Sequence, residues 1–157
     1  MKRKTALLCL LALLSVPAPA AAEHAQTNLR DFRSVCINVT LELRGRKDER
    51  LREQLYNALA DHLEEHRIFV ASSPCQDWSS TSSRQVNLMF NFSTTTSGAA
   101  YLGTLEAWLP REGKYLEPVL WTDSIFGSLT AGSLDNVPFQ IMDDLTEGFV
   151  RLWDQAH

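Results

Sequence analysis

The sequence predicts a two-layer α+β domain, in which a mostly antiparallel sheet of about five strands is covered by two helices. Strand-type alternation of apolar and polar residues recurs along the chain, most clearly at 34–43 and 85–94. Apolar stripes at helical spacing occur in 47–67 and 134–157. With the short β-rich run 68–72, the predicted order of elements is β-α-β-β-β-β-α, with hairpins in the second half.

The amino-terminal 22 residues have the three parts of a secretory signal peptide. A basic start, MKRK, is followed by an apolar run and by a stretch of small residues ending at Ala22. The apolar run is roughly 10–12 residues long, whereas a transmembrane helix needs roughly 18 or more. Cys9 lies too early to be a lipid-attachment site. We therefore expect cleavage near Ala22, a periplasmic or secreted protein, and neither a transmembrane nor a lipid anchor.

The charge of the mature chain limits the class of partner. Removing residues 1–22 from the 157-residue chain leaves 135, and the loss of three basic residues changes the formal charge from −4 to −7. Nucleic acids and anionic lipid surfaces are bound through clustered Lys and Arg, which an acidic surface disfavours. The short basic cluster Arg44, Arg46 and Lys47 is followed by Asp48 and Glu49, so we interpret it as an ordinary solvated turn. This length is typical of one domain. We expect residues 23–33 to be a flexible lead-in and 34–157 to be a single domain.

The first predicted elements are a strand and a helix. In 34–43, residues with odd numbers are apolar from Val35 to Leu43, while the even-numbered ones are mostly polar, which is typical of a half-buried strand. In 47–67, an apolar stripe includes Leu51, Leu55 and Leu59, and acidic residues surround it. The run 68–72, IFVAS, predicts a short second strand.

The second half predicts three strands and a helix. Residues 85–94 alternate, and 101–109 with 115–129 flank the turn PREGK as a hairpin. Pro118 lies inside the last strand, so that strand is expected at an edge or with a bulge. Residues 134–157 predict an amphipathic helix with Asp135 or Asn136 as its cap and Pro138 in its first turn.

Cys36 and Cys75 are the two cysteines of the mature chain, and in an oxidising compartment two cysteines usually pair. Such a bridge closes a loop of about 38 residues and stabilises the fold by roughly 3–4 kcal/mol. The alternative makes Cys75 a catalytic nucleophile, which needs a neighbouring base such as His62 or His66. Nothing in the sequence places those groups together, so we predict a disulfide.

His62 and His66 lie one helical turn apart, within the apolar stripe. The string HLEEH satisfies the His-x-x-Glu-His pattern, in which both histidines bind zinc and Glu65 would be the general base. The helix ends almost at once and no third ligand can be named, so a zinc peptidase is disfavoured. We favour two ordinary residues that cover the sheet edge near the helix dipole's negative end. A non-catalytic metal site with an acidic residue is the alternative.

Four aromatic residues fall on the predicted hairpin: Tyr101, Trp108, Tyr115 and Trp121. Alternation places Tyr101 and Trp108 on opposite faces of their strand, so both faces carry apolar groups. Aromatic residues are common on the open face of a sheet without any function. The alternative is that some of the four contact a partner or an apolar ligand.

These observations predict an exported, non-enzymatic binding or accessory protein of the cell envelope that acts through protein–protein contacts. The sequence contains no phosphate-binding loop, nucleophile elbow or Cys₄ metal site, and no cofactor is expected. The alternatives are a carrier of a small apolar ligand and a thiol or zinc-dependent hydrolase that uses Cys75 or His62 and His66.

Overall fold

The computed structural model describes residues 28–71, 75, 84–109, 119–129 and 136–157. Two helices pack on one face of a five-stranded mixed sheet, which confirms the predicted α+β sandwich. The elements, in chain order, are β1 (Ser34–Leu43), β2 (Arg46–Lys47), α1 (Glu49–Glu65), β3 (Gln85–Thr94), β4 (Ala100–Trp108), β5 (Val119–Ser128) and α2 (Val137–Ala156). The predicted signal peptide, 1–22, lies outside the described residues.

The strands are arranged in the order β2-β1-β3-β4-β5. Among the described strands, β1 and β3 form the one parallel pair, because α1 carries the chain back to the end of the sheet where β1 begins. The other neighbours are antiparallel. β5 forms the outer edge, and its pairing with β4 is irregular beside Ala107, so the expected edge position and bulge are both found.

One face of the sheet supplies the core together with both helices. Val39, Phe90 and Leu105 are neighbours across β1, β3 and β4, and all three are buried. α1 packs over β1, and α2 packs over β4 and β5. Gly103 lets α2 approach closely, because a Cβ atom there would collide with Ile141. The helices bury these residues: Leu55, Leu59, Leu63, Ile141, Met142, Leu145, Phe149, Val150 and Trp153.

The predicted order of elements is wrong at two positions. The described part of the run 68–72, residues 68–71, does not form a separate strand: Val70 makes a single parallel bridge to Val35. The additional strand is β2, which follows a turn in which Arg44 and Gly45 both have positive φ. Two polar residues cannot show alternation, so the sequence gives no sign of β2.

The packed domain begins before residue 34, the expected boundary. Leu29 is completely buried and Phe32 packs against the core. The backbone N–H of Arg33 also donates to the carbonyl of Arg84 at 2.8 Å. Residues 28–33 of the expected flexible lead-in therefore contribute to the fold, and 23–27 lie outside the described residues.

The two helices begin differently. The carboxylate of Asp48 accepts a hydrogen bond from the Leu51 N–H at 3.0 Å and caps α1. Asn136 occupies the capping position of α2, as predicted, but its side chain makes no capping hydrogen bond. Pro138 lies in the first turn, where its missing N–H leaves no helical hydrogen bond unmade. No helix in the described ranges is long and apolar enough to cross a bilayer.

Candidate functional site

Cys36 and Cys75 form a disulfide, with their Cα atoms 5.3 Å apart. Cys36 points away from the helices because it alternates with Val35 and Ile37, which face the core. Residues 69–71 run beside the start of β1, and Cys75 lies next to Cys36 on that strand. While the bridge is intact, the sulfur of Cys75 cannot act as a nucleophile.

His62 and His66 face α2, not the sheet edge. Nδ1 of His62 lies 3.6 Å from Oδ1 of Asp143, and its Nε2 lies 3.4 Å from Oε1 of Glu147. The Nε2 atom of His66 lies 3.9 Å from the same Glu147 oxygen. The two imidazole rings are stacked, with centroids 5.3 Å apart. The two helices therefore bring together a cluster of two histidines and two carboxylates, which we call the His–carboxylate cluster.

Helical spacing explains why each helix contributes two residues to this cluster. His62 and His66 are four residues apart on α1, and Asp143 and Glu147 are four residues apart on α2. Residues four apart lie on one face of a helix, so each helix presents a pair. His62, His66 and Glu147 each offer one ligand atom, and these three atoms lie within 4.8 Å of one another, close enough to hold a metal ion after a small adjustment.

The predicted aromatic contacts do not form one surface. Tyr101 and Trp121 lie on the helix side of the sheet, where Tyr101 stacks on Phe92 at 5.7 Å and Trp121 contacts Phe149 at 5.6 Å. Trp108 is half-buried on the opposite face, and its Nε1 atom makes no hydrogen bond within the described part of the chain. Tyr115 lies outside the described residues. Packing on the helix side therefore accounts for two of the four aromatic residues, Tyr101 and Trp121.

An apolar pair that the sequence analysis missed lies on the face opposite the helices. Leu102 of β4 and Phe126 of β5 are cross-strand neighbours, and they are 44% and 81% exposed. We call this pair the Phe126 patch. The adjacent residues Ile125 and Phe126 could have indicated this exposed patch from the sequence. Neighbouring residues in a strand point to opposite faces, so only one of the two can face the core.

A surface cleft of about 660 Å³ lies between the first turns of the two helices. Its described lining is Asp48, Arg50, Leu51, Gln54, Asn136 and Phe139. Most of these side chains are polar or charged, which does not suit an apolar ligand. Between the helices and the sheet, the space is occupied by fully buried side chains such as Leu59 and Phe90.

Comparison with known proteins does not assign a family. No protein-family model matches the chain, and no curated protein matches it. A solved structure described only as that of an uncharacterized protein is similar over 82% of this chain and 95% of its own, at 12% identity and a TM-score of 0.34. A likeness of this size carries no argument about function.

Proposed function

We propose that this protein is an exported, non-enzymatic accessory protein of the cell envelope that binds another protein along β5. The observation that carries the proposal is the Phe126 patch. A large apolar side chain that is 81% exposed on an edge strand is costly to keep in water and promotes association. A partner that covers Phe126 removes that cost.

The outer edge of β5 supplies the second part of the interface. No described strand pairs with this edge of the ten-residue β5, so a partner's extended segment can add to the sheet there. Main-chain hydrogen bonds would give affinity, and the Phe126 patch would select an apolar side chain. Part of the edge is already occupied by internal contacts: the Asn28 amide donates to the Leu120 carbonyl, and the Ser124 N–H donates to the Asp123 carboxylate.

The charge of this region favours a basic or neutral segment. Glu106 and Asp123 are the only charged residues of β4 and β5, and neither strand contains Lys or Arg. An acidic partner would meet like charge, which reduces both the association rate and the affinity. The predicted signal peptide and the disulfide support an oxidising compartment outside the cytoplasm.

Site-specific photo-crosslinking in the producing cells tests this proposal. A photoreactive amino acid at position 126 should crosslink to one protein in about stoichiometric yield. The matched control is position 69, because Phe69 is also a strongly exposed phenylalanine, at 68%, but lies between α1 and β3. Equal crosslinking at 69 and 126, or no adduct at 126, would contradict the proposal.

A substitution then measures the contribution of the side chain to affinity. Phe126→Ser should weaken binding of the crosslinked partner at least tenfold, since buried aromatic anchors contribute most of the energy of such interfaces. Phe69→Ser makes the same chemical change and should leave the affinity within twofold. A partner that binds the Phe126→Ser protein as tightly as the wild type does not use this surface.

A further inference from the structure

We propose that His62, His66 and Glu147 bind one divalent transition-metal ion of the Zn²⁺ type, and that Asp143 orients the imidazole of His62. The inference concerns the interface between α1 and α2, on the side of the sheet opposite the Phe126 patch. It does not depend on the proposed protein-binding function, and either can fail without the other.

Two of the three separations between the candidate ligand atoms are close to those around a tetrahedral ion, and all three lie within 4.8 Å. Zinc binds imidazole nitrogen and carboxylate oxygen at about 2.0–2.2 Å, which places neighbouring ligand atoms about 3.3–3.5 Å apart. Nε2 of His62 and Oε1 of Glu147 are already 3.4 Å apart. Nε2 of His66 must move closer to that oxygen by a few tenths of an ångström from 3.9 Å, and its partly exposed side chain has room to do so.

The burial of His62 gives an independent reason to expect a ligand. Its Nε2 atom is buried and makes no hydrogen bond to any described residue, although Oε1 of Glu147 lies only 3.4 Å away. Buried polar atoms in proteins are nearly always satisfied, so an unpaired nitrogen beside a carboxylate favours a ligand that both atoms can share. A metal ion bound to both atoms would satisfy both.

Asp143 lies on the other side of the same ring. Its Oδ1 atom is 3.6 Å from Nδ1 of His62, and a modest movement of this exposed side chain makes a hydrogen bond. A metal-binding histidine usually donates its second N–H to a carboxylate or a carbonyl, which fixes the tautomer and the ring orientation. Asp143 is therefore a positioning residue, whereas Glu147 is the carboxylate that touches the ion.

The donor set selects the class of ion. Two imidazoles and one carboxylate favour Zn²⁺ and its neighbours over Ca²⁺ and Mg²⁺, which prefer oxygen ligands alone. Cys36 and Cys75 are joined to each other and supply no thiolate. His66 and Glu147 are partly exposed, so a fourth position on the ion is open to water. Because the ligands come from both helices, binding would link α1 to α2.

Without a metal, the same cluster can be a set of ion pairs between carboxylates and a protonated imidazole. The two explanations differ in a measurable way, since ion pairs need no added ion. The test uses the exported, oxidised full chain, purified without a polyhistidine tag and treated with a chelator that is then removed. ZnCl₂ is the probe.

We expect one Zn²⁺ per chain by native mass spectrometry and by calorimetric titration, with a low-micromolar or tighter Kd. Addition of ZnCl₂ should raise the melting temperature. His66→Gln and Glu147→Gln should each weaken binding at least tenfold, and His66 is the safer position because its side chain is 38% exposed. The Co²⁺-loaded protein should show the visible spectrum of a nitrogen- and oxygen-bound ion, without a thiolate charge-transfer band.

Two adjacent aspartates on α2 provide a test of the positioning role and its matched control. Asp143→Asn should weaken zinc binding about 10–100-fold, the usual effect of losing a carboxylate that orients a ligand. Asp144 is exposed and follows Asp143 directly, so Asp144→Asn makes the same charge change and should leave the Kd within twofold. Absence of a one-to-one zinc complex in a folded wild-type protein would overturn the proposal. So would equal binding by the His66→Gln variant, or equal weakening by the two aspartate variants.

Discussion

The two faces of the sheet use the same strands for different purposes. Towards the helices, β3 presents Val86, Leu88, Phe90 and Phe92, all completely or almost completely buried. Towards the opposite face, β3 presents Asn91 and Ser93, and neighbouring strands place the disulfide at one end and the Phe126 patch at the other. The helix side stabilises the domain by burying apolar side chains. The opposite side is also buried beside the disulfide, at Asn87, and is exposed at the Phe126 patch, where the proposed partner would bind.

Adjacent residues of one strand lie on different faces of the sheet, because side chains alternate along a strand. Substitutions one residue apart should therefore have unequal effects on the free energy of unfolding. The following three predictions compare what features of the two faces contribute to that free energy, beginning with the largest expected loss.

Phe90→Ala should have the largest effect. Phe90 is completely buried at the centre of the sheet, and removing its ring leaves a cavity that costs about 3–5 kcal/mol. Met89→Ala is the matched control on the opposite face of the same strand, where the half-buried side chain should lose less than half as much. Urea denaturation followed by circular dichroism measures both. Equal losses would mean that the opposite face is also closely packed.

Removal of the disulfide should have an effect of similar or slightly smaller size. The double substitution Cys36→Ala with Cys75→Ala opens a loop with a sequence separation of 39, which should lower the free energy of unfolding by about 3–4 kcal/mol. Denaturation of the wild type in the presence of a reductant is the parallel measurement. A loss below 1 kcal/mol in both would show that the unfolded chain gains little freedom from opening the bridge.

Phe126→Ser should have the smallest effect on stability. Its side chain is 81% exposed, so the folded domain gains little from it, and we expect a change within about 0.5 kcal/mol. The protein should also become less prone to self-association, which sedimentation velocity measures. A loss above 2 kcal/mol would mean that the ring is buried in the free protein and is unavailable to a partner.

The sequence predicted the elements whose pattern is local. Alternation in 34–43 and in 85–94 identified β1 and β3. Pro118 lies outside the described residues, but the strand that follows it, β5, has the expected edge position and is irregularly paired. The prediction of a strand at 68–72 was wrong because β-branched residues show only a propensity for strand structure. Whether a strand forms also depends on how many residues stay paired with a neighbouring strand. That information lies in the path of the chain after α1, where only Val70 bridges to β1.

The His–carboxylate cluster was only half predictable. The spacing of His62 and His66 identified one face of α1. No third ligand could be named, because the carboxylates that face them lie 81 residues further along the chain (143 − 62 and 147 − 66). Asp143 and Glu147 have the same four-residue spacing, which becomes meaningful only when the two helices are known to be neighbours. Tertiary pairing of helices leaves no local pattern in a single sequence.

The disulfide also determines how the molecule responds to a stretching force. It joins the start of β1 to the connection before β3, so β2, α1 and most of β1 lie inside a covalently closed ring. A pull on the two ends of the chain passes through the sulfur atoms and bypasses that ring. The oxidised chain should therefore extend about 130 Å less than the reduced chain, at roughly 3.3–3.6 Å for each of its sequestered residues. Single-molecule unfolding traces should show this as a shorter contour length that a reductant restores.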